Sequence, residues 1–448
     1  VPKIILINVR ADYPAAALGV TSSHPTTVSG WRHMWFIEEG DILVVPAQIE
    51  QDFLEYVGQV IGVDTDTILT LTRNEILNDE VILSPDFVGE LQSLIFLTNR
   101  SEPWQFMPCF FTDGAAELSR LLGVKAGTGW EFASQRGPVL LNRKSHFRQL
   151  ATGAGLPVPN GCITNNLRTL TRAVERLLPE TGSVIIKGDN AAGGKGNIAL
   201  TQHSIDEAFE GVRETRKIDI TNVAEVAASV WDELKDQQVL VVESYHKARS
   251  IFYFEFHISD SREVRFIASG SARLEPNPSD QKELVWVGLD IPADLPPFSF
   301  GSAVTEAAKF AHLAADLGYQ GYINIDAILT DSGELLFNES NARWGGGTIL
   351  HAISERLVGT RYSDTHNVSS LRDVPPVPLP EALALLAEQE IAFDKSQGRG
   401  VIILACDPRL ANMMECLIIG SSLDENRKIE GDLRKAVDEY LAAAATDR

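Results

Sequence analysis

Positive charge is scarce in this chain. Its 448 residues carry 39 Lys and Arg against 61 Asp and Glu, a formal net charge of −22. That balance repels polyanions and anionic membrane surfaces, which argues against nucleic acid and membrane partners. It leans weakly toward substrates with a cationic portion, although acidity for solubility is the commoner cause. Cysteine is scarce too. Cys109, Cys162, Cys406 and Cys416 stand at no metal-ligand spacing and form no disulfide framework, which suits a reducing compartment. No Gly-x-Gly-x-x-Gly follows the first strand-like run, so no dinucleotide is assigned. The opening run Val1 to Val9 is too short to span a membrane and lacks a small-residue cleavage pattern. No other stretch reaches transmembrane length. The expectation is a cytoplasmic protein without internal repeats.

What the chain does have is length enough for two or three domains, with an ordinary 44% hydrophobic and 22% charged content. Its first third alternates strands and helices: strands at Lys3–Val9, Asp41–Val45 and Ser93–Thr98, helices at Ile49–Ile61 and Asp113–Leu122, the latter ending at Gly123. This predicts an α/β layer on a parallel sheet. After Gln135-Arg-Gly-Pro138 come a helix at Lys144–Ala154 and a strand at Ser183–Lys187. The capping pattern Ser204-Ile-Asp-Glu207 predicts a helix to about Arg216. Strands follow at Gln238–Glu243, Ile251–Ile258, Glu263–Ser269 and Leu284–Leu289, then a helix at Ser302–Leu317. Pro375 to Pro380 marks a boundary before a small α/β tail.

The densest chemistry lies in Phe337-Asn-Glu339-Ser-Asn341-Ala-Arg343-Trp-Gly-Gly-Gly347. In a strand, Glu339, Asn341 and Arg343 point to one face. The turn Asp331-Ser-Gly333 pairs this run with Tyr322-Ile-Asn-Ile-Asp326 as a hairpin. Asp326, Glu339 and Asn341 then stand together as hard oxygen ligands suited to magnesium brought in on nucleotide phosphates. A second motif is Val184-Ile-Ile-Lys187 followed by Gly193-Gly194-Lys195-Gly196. A strand-ending lysine and a glycine loop suit a polyphosphate. Alone, that loop reads more often as a flexible turn; with the hairpin in the same chain, the phosphate reading gains. It is not a Walker A loop, because Gly-Lys is followed by Gly. Lys144 opens a helix whose dipole prefers anions, which hints at a ligand, while a solvated lysine fits nearly as well. Arg265 and Arg273 stand either toward phosphates or a substrate carboxylate, or in salt bridges. The nine histidines show no ligand spacing, and Trp31, Trp35 and Phe36 read as packing residues at a loop edge.

Read in order, these elements resemble the ATP-grasp superfamily over approximately residues 1 to 360. Glu-x-Asn-x-Arg-x-Gly-Gly resembles its ligases for amino acids and peptides more than the D-alanine ligases. The resemblance implies an α/β fold with α+β subdomains: a Rossmann-like pre-ATP-grasp domain (1–137), an N-subdomain with the glycine loop (138–240), a C-subdomain with the metal hairpin (241–374) and a small α/β region (375–448). It implies ATP and two Mg²⁺ ions, with Mn²⁺ able to substitute. Lys144 and Lys187 would bind phosphates, with Lys187 and Arg343 as the catalytic pair. Ala191 to Gly196, including Gly193, Gly194, Lys195 and Gly196, would close over the phosphates. The backbone of Glu243, Ser244 and Tyr245 would pair with adenine, and the Glu243 carboxylate would accept from its amino group. Asp326, Glu339 and Asn341 would hold the metals. Relatives carry an acid for the ribose about seven positions past the hinge glutamate, where this chain has Ser250, with Glu255 further on.

The implied reaction is ATP-dependent joining of a small carboxylate to the amine of an amino acid or peptide. The rivals are a phosphotransferase on the same scaffold and a non-catalytic ATP-binding assembly protein. The tail after Pro380 either closes the site or forms a homodimer contact.

Overall fold

The computed structural model describes residues 1–9, 26–126, 130–190, 196–205, 209–234, 237–277, 280–407 and 413–446. Three sheets organise them. The first holds β1 (Lys3–Leu6), β2 (Ile42–Val45), β3 (Leu69–Thr72), β4 (Gln105–Pro108) and β5 (Lys125–Ala126), all parallel in the order β3-β2-β1-β4-β5. β1 and β2 are apolar runs covered on both faces, as a parallel sheet requires. The helices here are α1 (Gln51–Ile61), α2 (Asp79–Ile82), α3 (Pro85–Leu97) and α4 (Asp113–Leu122). α4 is capped by Thr112, whose hydroxyl accepts from Ala115 N–H, and it ends at Gly123 with φ 66°, as the sequence predicts.

The strand expected at Ser93–Thr98 is instead the end of α3. Ser84 caps that helix and Pro85 opens it. Its apolar end is solvent-facing, with Phe96 83% exposed. The strands not predicted are β3 and β4, each only four residues, and β5, only two.

After α5 (Trp130–Ser134), α6 (Gly137–Asn142) and α7 (Lys144–Gly153), the second sheet contains β6 (Gly161–Thr164), β7 (Ser183–Gly188), β8 (Asn197–Thr201), β9 (Glu214–Lys217) and β10 (Leu240–Ser244), ordered β6-β10-β7-β8-β9. One face, with Val184, Ile186, Leu240 and Val242, packs on α8 (Leu167–Thr181) and α9 (Val223–Leu234). The helix expected from Ser204 to Arg216 does not reach its predicted end. Residues 206–208 lie outside the described set, and β9 pairs parallel with β8. Its charged residues, Glu214 and Arg216, suit an edge strand.

The third sheet is antiparallel: β11 (Ala248–Ile258), β12 (Val264–Asn277), β13 (Asp280–Ile291), β14 (Gly321–Thr330), β15 (Leu335–Asn341), β16 (Asn367–Val374), β17 (Gly400–Ala405) and β18 (Met414–Gly420), ordered β15-β14-β11-β12-β13-β16-β18-β17. One face buries Phe252, Phe254, Phe256, Ile323, Ile325 and Phe337 against the alanine stripe of α10 (Pro297–Asp316). Alanines let helix and sheet lie close. The remaining helices are α11 (Gly346–Leu357), α12 (Leu379–Glu388) and α13 (Leu423–Thr446).

The boundary expected at 374/375 falls within this sheet, because β16 joins β18 and β17 to the central strands. The tail also packs on the N-terminal region. Trp31 and Trp35 are not at a loop edge but 2% exposed in the shared core. Trp31 Nε1 donates to Asp407, Trp35 Nε1 donates to the Leu404 carbonyl, and Ile403 N–H donates to the Tyr56 hydroxyl. Arg273, left open in the sequence, is committed to α13 through two hydrogen bonds to Glu430 at 3.0 and 2.9 Å. Among the described residues no helix is long and apolar enough to cross a membrane.

Candidate active site

β14 and β15 pair in a register that places Asp326 opposite Glu339, and Ala327 opposite Phe337. Asn338 is therefore an extra residue, a β-bulge. Without it, Phe337 and Glu339, two apart, would share a face. The bulge lets Phe337 enter the core, where it is fully buried, while Glu339 turns to the opposite, polar face beside Asp326. Asn341 reaches across, its Nδ2 donating to Asp326 at 3.0 Å.

Lys144 joins them from α7, its Nζ 2.9 Å from Glu339. Its position is set by two staples. At the end of α6, Ser340 Oγ donates to the Leu141 carbonyl at 2.7 Å, and Asn142 Oδ1 accepts from Ala342 N–H at 3.0 Å. On the other side, Asp189 sits 2% exposed and accepts from Ser145 N–H at 2.8 Å, while Arg143 lies 3.3 Å away. Asp189 thus supplies the anion that the first turn of α7 lacks in sequence, and it follows Lys187 by two residues. Replacing Asp189 with alanine is expected to cost about 1–2 kcal/mol of stability by removing this cap, measurable in urea unfolding.

Lys187 projects from β7 on the face away from the helices. Its Nζ lies 2.6 Å from Glu243 Oε2, and Arg148 Nη1 lies 2.7 Å from Glu243 Oε1. An adenine amino group received by Glu243 would share that carboxylate with two cations. The adjacent backbone is also committed. Ser244 N–H donates to the Asn160 carbonyl and Tyr245 N–H to the Ser183 carbonyl. Of the backbone expected to pair with adenine, the Ser244 and Tyr245 N–H groups are taken by the protein's own structure. The Ser244 hydroxyl donates to Glu180, and the Tyr245 hydroxyl donates to Glu210.

Ser250 is not brought to the site. It pairs with Leu329, so it stands on the opposite face from Tyr253, Asp326 and Glu339. There it lines a hollow of about 580 Å³ with Arg249, Asp290, Asp294 and Arg427. Ile251 takes the site face instead. Of the glycine loop, Gly196 closes the base, its carbonyl accepting from Gly188 N–H at 3.0 Å; Ala191, Gly193, Gly194 and Lys195 lie outside the described residues.

Arg343 follows β15. Its Nη1 donates to Asn341 Oδ1 at 2.5 Å and to Asn142 Oδ1 at 3.3 Å, and its guanidinium lies over Phe110 at 5.6 Å. Trp344 packs on Phe36 with centroids 4.2 Å apart, so the N-terminal region forms one wall. As placed, Asn341 turns nitrogen to Asp326 and oxygen to Arg343; an ion held by Asp326, Glu339 and Asn341 would reverse the amide.

Electrostatics tie these groups into one site. Burial opposes ionisation of Glu339, but the charges of Lys144, Lys187 and Arg343 outweigh it and bring its carboxyl to about 2. Burial and the neighbouring Glu339 raise Asp326 well above the ordinary carboxylate range. Two facing carboxylates, one of which cannot ionise readily, are a donor set that a divalent cation would satisfy. Among the described residues no three His, Cys, Asp or Glu side chains form a metal-holding group, so the set here is two carboxylates and an amide.

Sequence reading missed Arg148, Asn142 and Asp189. Arg148 was legible as the residue four beyond Lys144, on the same helix face. Asn142 and Asp189 carried no signal beyond adjacency to the two lysines.

Residues 30–124 match the family model for a pre-ATP-grasp domain. No curated protein sequence matches the chain. Among solved structures, the chain resembles an N5-carboxyaminoimidazole ribonucleotide synthetase in its ADP complex, with TM-score 0.56 and 14% identity over 98% of this chain and 96% of that one. The same enzyme from Thermus thermophilus aligns with TM-score 0.55 at 11% identity, covering 97% and 98%. A biotin carboxylase from Campylobacter jejuni aligns with TM-score 0.54 at 13% identity, covering 94% and 87%. Together with the sheet order and the hairpin, these likenesses identify an ATP-grasp fold preceded by a pre-ATP-grasp domain.

Proposed function

We propose that the chain is an ATP-dependent carboxylate–amine ligase. It would join an amino-acid-like carboxylate to the amino group of an amino acid or peptide through an acyl phosphate, releasing ADP and phosphate. The observation that carries this reading is the pairing of Glu339 with Asp326 across β14 and β15, with Lys144 2.9 Å from Glu339 and Arg343 held on Asn341 beside it. Neighbours of the same fold are described with ADP and with a β,γ-ATP complex, which supports the nucleotide. The order of motifs also resembles the peptide ligase of pheganomycin biosynthesis, which extends the reading to antibiotic assembly and a guanidino-bearing donor.

In this mechanism a substrate carboxylate oxygen attacks the terminal phosphorus, and the bond to ADP breaks. The amine then attacks the acyl carbon, phosphate leaves and the amine nitrogen sheds a proton. Lys144 and Lys187 would carry countercharge to the phosphates. Asp326, Glu339 and Asn341 would hold Mg²⁺, which when bound spreads the phosphoryl charge. Arg343 would meet oxyanion charge with its forked guanidinium. Its contacts with Asn142 and Asn341 hold it beside the carboxylate pair.

The test is incubation of the protein with ATP, Mg²⁺ and a panel of carboxylic acids and amines, read by mass spectrometry. A ligase yields ADP and phosphate with coupled product when both acid and amine are present, and a hydroxamate when hydroxylamine replaces the amine. A phosphorylated product that accumulates and ignores hydroxylamine would identify a phosphotransferase instead.

A further inference from the structure

The polar face of the third sheet continues past the carboxylate pair. Tyr253 pairs with Asp326, and Glu255 pairs with Asn324. Glu255 is 0% exposed, and Tyr253 and Asn324 are each 6% exposed. Each keeps one buried oxygen without a hydrogen-bond partner: Glu255 Oε2, Tyr253 Oη and Asn324 Oδ1. Isolated buried oxygens of this kind are uncommon and call for an explanation.

All three side chains rise to one short segment. The Thr348 hydroxyl donates to Glu255 Oε1 and accepts from Gly345 N–H at 2.9 Å. A Cβ on Gly347 would lie 2.1 Å from Tyr253 Oη, and one on Gly345 would lie 2.4 Å from Asn324 Nδ2. Gly345 has φ −107°, so here glycine is required by close approach rather than by backbone twist. The three side chains that carry the unpartnered oxygens therefore all meet the Gly345–Thr348 segment, just after Arg343. Among the described residues no Lys or Arg pairs with Glu255. Without a countercharge, burial raises its carboxyl to about 8.

We propose that Glu255 Oε2, Tyr253 Oη and Asn324 Oδ1 bind a monovalent cation, distinct from any ion between Asp326 and Glu339. The ligands are hard oxygens, which excludes soft metals. One carboxylate with two neutral oxygens matches a single positive charge. Mg²⁺ keeps several waters, for which a dry, closely packed site is unsuited. The cation would neutralise Glu255 and brace the Gly345–Thr348 turn that follows Arg343.

The experiment is thermal unfolding of the full chain at fixed ionic strength in choline chloride, with KCl, NaCl or NH4Cl replacing it stepwise. At least one small cation should raise the Tm saturably, by about 2 °C or more, since a ligand bound only to the folded state stabilises it. Glu255→Gln should abolish that rise. If Glu255→Gln fails to fold, Tyr253→Phe removes one ligand without changing charge and should move the midpoint several-fold to higher concentration. A wild-type Tm indifferent to cation identity, with Glu255→Gln equally stable, would mean a neutral carboxylic acid and overturn the proposal. A rise that both variants retain unchanged would overturn it too. Because Tm and not turnover is read, failure here leaves the ligase reading standing.

Discussion

Arg343→Ala is expected to lower ligation by about 10²–10³-fold in kcat while leaving nucleotide affinity within a few-fold of wild type. The variant should fold, because Asn142 still holds Ala342 N–H and Trp344 still packs on Phe36. Its loss would fall on the step in which oxyanion charge develops, since Lys144 and Lys187, the residues proposed to face the phosphates, remain. Arg343→Lys should recover only part of the rate, because an ammonium is a point charge without the planar fork. Steady-state kinetics on the acid and amine identified by the ligation screen, with nucleotide binding measured by calorimetry, checks both halves. Near wild-type ligation by Arg343→Ala would remove this residue from the mechanism.

The second large effect concerns stability. Glu415 is fully buried on β18, with Arg32 Nε 3.1 Å and Arg372 Nε 3.2 Å from its carboxylate, and Ser29 Oγ donating to it. It joins the N-terminal region to the end of the third sheet. Glu415→Ala leaves two guanidiniums facing each other without a countercharge and is expected to cost about 3–5 kcal/mol in urea unfolding. A pH dependence follows. Burial disfavours the charged carboxylate, but Arg32 and Arg372 outweigh it and hold the group below its usual range. A depressed carboxylate stabilises fully above its unfolded pKa of about 4.3, and that share is lost as pH falls through the folded value. Wild type should therefore lose stability on acidification below about pH 4.3, and Glu415→Gln should lose less over the same window. Equal acid limbs in the two proteins would rule out this source.

Local pattern carried much of the fold. α4 was legible because its cap, its amphipathic period and its C-terminal glycine agree, and the hairpin because Asp331-Ser-Gly333 separates two alternating runs. The misreadings share a cause. The apolar end of α3 looks like a strand until Ser84 and Pro85 are seen to start a helix upstream, and the stretch holding β9 reads as helix because Ser204-Ile-Asp-Glu207 matches a capping box while β9 itself is four polar residues without alternation. Trp31 and Trp35 gave no sign that their partners lie nearly four hundred residues away in the tail.

The site divides in the same way. Residue identity by itself determined which groups the proposal assigns chemistry to: carboxylates at 326 and 339, cations at 144, 187 and 343, and glycines beside them. It also set an acidic overall charge, which says nothing of the local field, because Lys144 lies against Glu339 and Lys187 and Arg148 against Glu243. Only the tertiary structure decided which way those groups point. A single extra residue, Asn338, turns Glu339 from the core face to Asp326, whereas Ser250, correctly spaced in sequence, falls on the wrong face. Alternation in a strand fixes a face only once its register against the neighbouring strand is known, and register is settled where the hydrophobic pattern of both strands and the turn between them meet the core.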